Sequence, residues 1–255
     1  MSKNENKKVK QRQFPLGVKL AVIIGFIVLA SLGTVTFLNS WFVSKDVRIT
    51  AEENNLTINT RSSSSVQNEL LSVRSNVLQL LDLINAASGG RTSALAKQAE
   101  AFFFERNQSI AEVIVLTQYQ FTHNLVIHTR LKNNRFFTSN EIDLEATDSL
   151  LSQSEKSLVR ACSGETIALN ASPFFKNEMI ALLLPYRESG LEQCCLILFS
   201  LESISSILGT GSSNETFMIN DSSELLCHPE NERILSGQSM KNHPLVKEMR
   251  EKKPE

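Results

Sequence analysis

Residues 20–38 read LAVIIGFIVLASLGTVTFL, 19 residues without a charge. As a helix rising ~1.5 Å per residue, such a run spans roughly the hydrocarbon core of a bilayer. Lys3, Lys7, Lys8, Lys10, Arg12 and Lys19 precede it, whereas Lys45 and Arg48 after it are mixed with Asp46, Glu52 and Glu53. Basic residues collect on the cytoplasmic flank of a span. The expected order is therefore a cytoplasmic tail over 1–19, a transmembrane helix over 20–43, and the rest of the chain outside. Trp41 and Phe42 stand where aromatic side chains anchor a helix at the membrane interface. A cleaved signal peptide opens with a similar basic segment and apolar core. Against it, the run exceeds the ~7 to 15 residues of a signal core, and Trp41 and Phe42 fall where cleavage wants small residues.

Beyond the span, positions 66, 70, 73, 77, 80, 84 and 87 read Val, Leu, Val, Val, Leu, Ile and Ala. Alternating steps of four and three put all of them on one helix face, widened by Leu71, Leu78 and Leu81. Upstream, Ile49 and Leu56 keep the frame, but Glu52, Asn59 and Ser63 interrupt it. The pattern predicts a long stalk helix over 44–87, roughly 65 Å in length, poorly supplied with packing partners at its membrane end. The competing expectation is two ordinary helices broken around Arg61 to Ser65. The seam from Val66 to Ala87 could serve either a domain core or a partner helix.

Gly89 and Gly90 are expected to end this helix, because glycine accepts the left-handed conformation of a closing turn. Thr92 or Ser93 can cap a second helix running to about Arg106. Ala111 to Tyr119 and Asn124 to Thr129 are rich in β-branched residues and separated by a short polar turn, the pattern of a hairpin. After a polar stretch from Lys132 to Ser157 with short helical pieces, strands resume at Thr166 to Asn170, Met179 to Tyr186 and Cys194 to Ser200. The last two are joined through Gly190, and Leu201 to Leu208 reads as a short helix. Residues 88–208 are thus expected to form one α+β domain, an antiparallel sheet of about five strands flanked by helices. Gly209 to Asn214 reads as a flexible joint. Phe217 to Ile219 and Glu224 to Cys227 then form a second hairpin around Asn220 to Ser223. A hairpin alone cannot bury a core, so residues 209–255 read as the start of an incomplete second unit.

The formal net charge is −1 and the hydrophobic content 42%, an ordinary globular part joined to one membrane segment. No basic footprint lies outside the N-terminal tail, so nucleic acid is not an expected partner. Cys162, Cys194, Cys195 and Cys227 are too few for a disulfide scaffold and lack the paired spacing of a zinc site. Adjacent Cys194 and Cys195 face opposite sides of a strand. One of them could pair with Cys162, or both could simply be buried. His123, His128, His228 and His243 are not spaced as metal ligands, and Asp143, Glu145 and Asp148 read as a solvated charge run. With no nucleotide loop, nucleophile elbow or zinc helix, no enzyme activity, cofactor or metal is expected within these residues.

The order of elements carries a resemblance. A long helix, a hairpin, a polar excursion, then Ala161 to Gly164 (ACSG), Glu165 to Pro173 (ETIALNASP), two antiparallel strands and Leu201 to Leu208 (LESISSIL) resemble the membrane-distal half of a double Cache domain. Phe217 to Pro229 (FMINDSSELLCHP) is similar to the opening of the membrane-proximal half, with Ser223 where glycine is usual. Cache domains are PAS-like extracytoplasmic sensors of bacterial receptors. The resemblance implies a sensing region, truncated at its C-terminus, of an adenylate or guanylate cyclase or a methyl-accepting chemotaxis protein. It also implies a bacterial inner membrane, which the one apolar run of this chain is expected to cross once, a homodimer, and a small-molecule or periplasmic ligand. Amino-acid-binding members carry Arg-x-Trp-Tyr where this chain has Lys156, Ser157, Leu158 and Val159, so the planar guanidinium fork and aromatic wall are missing. By position in the family, the ligand-contacting candidates are Tyr119, Lys156, Asn170, Ser172 and Tyr186. The alternative from another class is a static anchored protein that displays its sheet domain to an extracellular partner.

Overall fold

The computed structural model describes residues 15–87, 93–119, 124–143, 145–187, 191–209 and 216–251. The basic tail before residue 15, Gly89, Gly90, Thr92, His123, Gly190, the stretch 210–214 and residues 252–255 lie outside the described residues. Contacts divide the chain into two units, residues 1–58 and 59–255. Helix α1, Leu16–Ala86, contributes to both and is unbroken through Arg61 to Ser65.

In the first unit, α1 is long and apolar enough to cross a membrane. Every residue from Leu20 to Leu38 is exposed among the described residues, which leaves the apolar surface of this stretch open to lipid. Thr34 and Thr36 donate their hydroxyls to the carbonyls of Ala30 and Leu32 at 2.8 Å, which satisfies these two hydroxyls within the apolar run. Trp41 and Phe42 follow with their rings edge to face, centroids 5.1 Å apart, and Lys45 Nζ stands 5.6 Å from the Trp41 centroid.

In the second unit, the four-three seam buries itself on a sheet. Val66, Val73, Val77, Leu80, Leu81 and Ile84 of α1 are buried in one cluster. Of the residues that widen the seam in sequence, Leu81 joins this core and Leu71 stays exposed. Helix α2, Ala94–Arg106, joins the same side; the Ser93 hydroxyl accepts from the Ala96 N–H at 3.1 Å and caps its first turn. Strands β1 (Ile110–Gln118) and β2 (Leu125–Lys132) form the expected hairpin. The polar excursion folds into α3 (Asn134–Ser139), α4 (Ala146–Gln153) and α5 (Glu155–Cys162). Then come β3 (Ile167–Asn170), α6 (Ser172–Phe175), β4 (Met179–Tyr186), β5 (Gln193–Ser200) and α7 (Glu202–Gly209).

The five strands lie in the order β2-β1-β5-β4-β3, every neighbouring pair antiparallel. Strand alternation divides the sheet into two apolar faces. Val113, Val115, Ile180, Leu182, Leu184, Cys195, Ile197 and Phe199 meet α1 and α2. Ile114, Leu116, Met179, Ala181, Leu183, Cys194, Leu196 and Leu198 meet the short helices, with Phe137, Leu150, Leu158 and Phe175. Covered on both faces and paired on both edges, β1 is buried along its whole length.

The C-terminal segment packs on the same body. Strands β6 (Met218–Ile219) and β7 (Leu225–Cys227) pair antiparallel, followed by α8 (Asn231–Leu235) and α9 (Pro244–Glu251). Leu225, Leu226, Cys227, Ile234, Met240 and Val246 share the core that α1 covers. Asn220 shapes the turn: its side-chain oxygen accepts from the Ser222 and Glu224 N–H groups at 3.0 and 2.9 Å, and its amide donates to the Ala168 carbonyl at 3.0 Å and Glu224 Oε2 at 2.8 Å. Burial pushes the Glu224 carboxyl above its ordinary range, against the lowering by hydrogen bonds from the Asn170 N–H and Asn220. Ser223 adopts φ +63°, the left-handed region that favours glycine, and its hydroxyl is buried with no hydrogen-bond partner among the described residues.

Two stability predictions follow from this packing. Leu80→Ala should cost about 2–5 kcal/mol in urea unfolding, whereas Leu71→Ala, on the uncovered flank of the same helix, should stay within about 0.5 kcal/mol. Ser223→Gly should raise stability by about 1 kcal/mol, because it relieves the left-handed strain and removes the orphaned hydroxyl; a lower midpoint would show that the turn holds serine for another reason.

Candidate functional site

The five sequence-predicted contact residues do not converge on one cavity. Tyr119 is exposed just past the end of β1, and Lys156 is exposed in the first turn of α5. Tyr186 lies half-buried, its hydroxyl accepting from Asn85 Nδ2 of α1 at 2.9 Å. Asn170 and Ser172 do come together. Asn170 Nδ2 donates to the Ile234 carbonyl at 2.7 Å, and its Oδ1 accepts from the Ser172 N–H at 2.9 Å. The Ser172 hydroxyl donates to the Met179 carbonyl at 3.1 Å and accepts from the Met179 N–H at 2.9 Å. Both are buried with their polar atoms spoken for, so they join β3, β4 and α8. The Lys156 charge faces solvent while Leu158, two residues on, is buried in the core under the short helices.

One buried charge cluster sits at the β1–β2 hairpin. Glu112 is fully buried and accepts from Arg130 Nε at 2.5 Å and from the Thr147 hydroxyl at 2.6 Å. Arg130 Nη1 also donates to Asp148 at 2.8 Å, so one residue of the charge run, which is exposed as expected, is also an ion-pair partner. The cluster ties β1, β2 and α4 together, and each oxygen of the Glu112 carboxylate has a donor. That arrangement is structural, since the carboxylate is shielded and already satisfied.

Concave surface appears instead where the seam of α1 gives out. A groove of about 430 Å³ is lined by Asn59, Ser62, Ser63 and Val66 of α1, Leu208 of α7, and Thr216 to Ile219 with Leu245. Its volume falls in the range that holds small molecules. Val66, Leu208, Phe217, Met218 and Ile219 supply apolar surface, and Asn59, Ser62, Ser63 and Thr216 supply hydrogen-bonding groups. Phe217 is wedged between two histidine rings, stacked on His228 at 6.3 Å and edge-on to His243 at 5.4 Å.

A smaller recess of about 260 Å³ shares Leu208 and Thr216 with this groove and adds Glu178, Ser205, Cys227 and His228. The Ser205 hydroxyl donates to Glu178 Oε2 at 2.9 Å and lies 3.5 Å from Cys227 Sγ. His228 Nδ1 accepts from the Glu230 N–H at 2.9 Å. Burial pushes the Cys227 thiol up, so it stays protonated at neutral pH and makes a poor nucleophile. Among the described residues, no three His, Cys, Asp or Glu side chains gather as metal ligands. The groove and its recess are lined by both apolar side chains and hydrogen-bonding groups.

Asn59 and Ser63 were visible in sequence as interruptions of the apolar frame. Ser62, Thr216 and Phe217 carried no signal, because only the docking of β6 beside α1 brings them to one place. No protein-family model and no curated protein matches this sequence.

Arg130→Ala strands the Glu112 carboxylate in the interior and should cost about 3–5 kcal/mol. The double substitution Glu112→Gln, Arg130→Met should recover much of that loss in thermal unfolding, since no buried charge is then left unpaired.

Proposed function

We propose that this chain is the extracytoplasmic sensing region of a membrane-bound receptor, and that its ligand is a small molecule taken up in the groove beside α1. The observation that carries this reading is the identity of the groove wall. Asn59, Ser62, Ser63 and Val66 belong to the same unbroken helix that holds the apolar run from Leu20 to Leu38. A ligand that touches this helix can bias it directly, and it acts only through its differential affinity for two arrangements. The Cache-like order of elements and the PAS-like sheet support the same reading. In it the tail is cytoplasmic, the span lies in a bacterial inner membrane, the stalk helices of two copies meet, and the output is a cyclase or chemotaxis module carried elsewhere in the receptor. The hairpin from Met218 to Cys227 corresponds to the opening of the membrane-proximal sensor unit.

A second reading, a static anchored protein that displays its surface to a partner, is favoured by a different feature. Exposed Leu83 of α1 and Phe102 of α2 line an open recess of about 620 Å³, and exposed apolar residues around a concavity mark interaction surfaces.

The deciding experiment is thermal unfolding of the full chain in detergent micelles against amino acids, organic acids, amines and sugars. A ligand of the groove at about 100 times its Kd should raise Tm by roughly 5–10 °C. Ser63→Trp, which fills the groove, should abolish the shift, and Tyr119→Ala should retain it. A shift that survives Ser63→Trp places the ligand elsewhere. No shift with any class, in folded protein, favours the display reading.

A further inference from the structure

Cys194 and Cys195 are the second and third residues of β5, and strand alternation sends their side chains to opposite faces of the sheet. Cys195 lies in the core under α1 and α2, while Cys194 lies on the face covered by the short helices. Cys194 is held in place from both sides, paired with Leu116 of β1 and Pro185 of β4. On its own face it meets α5, an eight-residue helix that ends at Cys162 and buries Leu158, Ala161 and Cys162 against the sheet. Cys162 and Cys194, from elements distant in sequence, are thus neighbours in one buried cluster on this face of the sheet, both as free thiols.

We propose that Cys162 and Cys194 close into an intramolecular disulfide in the mature protein. The inference rests on the extracytoplasmic placement of the domain, because disulfides persist in oxidising compartments and are rare in the reducing cytosol. The chemistry is thiol–disulfide exchange with a disulfide oxidant, such as an oxidised dithiol oxidoreductase or oxidised glutathione. The Cys162 thiolate attacks one sulfur of the oxidant, forming a mixed disulfide and expelling the other sulfur as a thiolate. Cys194, deprotonated in turn, attacks the Cys162 sulfur and releases the oxidant's second sulfur. Two cysteine thiols lose two electrons and two protons, and one disulfide of the oxidant becomes two thiols.

The other two thiols are separated from this pair by the sheet. Cys195 faces the opposite core, where burial pushes its thiol up to about 12. Cys227 belongs to that opposite core too, beside Ser205. The Cys162–Cys194 bond would pin the C-terminal end of α5 to the centre of the sheet and close the loop that contains β3, α6 and β4.

The test uses full-length protein extracted from membranes with an alkylating reagent and no reductant, then digested and mapped by mass spectrometry. The expected result is a peptide containing Cys162 joined to one containing Cys194, retained in Cys195→Ser and lost in Cys162→Ser and Cys194→Ser. Reduction should lower Tm by about 5–15 °C in the natural protein and leave the Tm of Cys162→Ser unchanged. Alkylated thiols at both positions, or a link from Cys162 to Cys195, would overturn the pairing. Protease accessibility of the domain in spheroplasts separates the two ideas under test. Free thiols in an accessible domain overturn the disulfide alone, and free thiols in a protected domain overturn both the disulfide and the extracytoplasmic reading. A mapped disulfide supports the pairing even where the ligand screen is silent.

Discussion

The packing of one helical stripe on one sheet face is the interaction from which the rest of the second unit follows. Val73, Val77, Leu80 and Ile84 of α1 lie on Val113, Val115, Ile197 and Leu182 of the central strands, and all of them are buried. A fully buried aliphatic side chain contributes roughly 1.5–3 kcal/mol, so this stripe outweighs any single polar contact in the domain. Its reach also sets the sheet's composition. With α1 and α2 on one face and α3 to α6 on the other, β1, β4 and β5 can be apolar on both sides. β2 and β3, at the edges, keep exposed or half-exposed positions along most of their length.

Polar side chains decide how the peripheral pieces attach. Glu112, Arg130 and Thr147 fasten the hairpin to α4, and Asn170, Asn220 and Glu224 fasten the C-terminal hairpin to the β3 edge. In both places a buried acceptor is matched to a donor from a distant segment, so the contact specifies which piece docks where. The groove beside α1 arises from the same logic run in reverse. Where Val66 gives way to Ser63, Ser62 and Asn59, the helix has no large side chain to fill the space before β6, and a hollow with a polar rim is left.

Much of this was legible in the order of residues, for physical reasons that differ by element. The apolar run from Leu20 to Leu38 and the four-three stripe after it are periodic over many turns, and α1 covers both. β1 announces itself as a run rich in β-branched residues, and β4 and β5 as apolar runs, each eight or nine residues long. Pieces with few residues did not. α6 is one turn begun by Pro173 and ended by Lys176 at φ +56°, and α8 spans five residues; neither is long enough to show a period. The candidate site divides in the same way. Asn170 is read as a contact residue from its place in a motif, yet its amide is committed to the Ile234 carbonyl, 64 positions away.

Hydrophobic period and length are local properties, so the order of residues is enough to call for an apolar helix long enough for a bilayer ahead of an α+β domain. Alternation along a strand is local too, and it parts Cys194 and Cys195 to opposite faces. That the seam from Val66 to Ile84 serves the domain core, that Cys194 shares a buried cluster with Cys162, and that Asn59, Ser63 and Phe217 border one groove emerges only on folding. Each of these depends on which distant segments share a face, and that choice is made by the fit of whole elements as they bury their surfaces together.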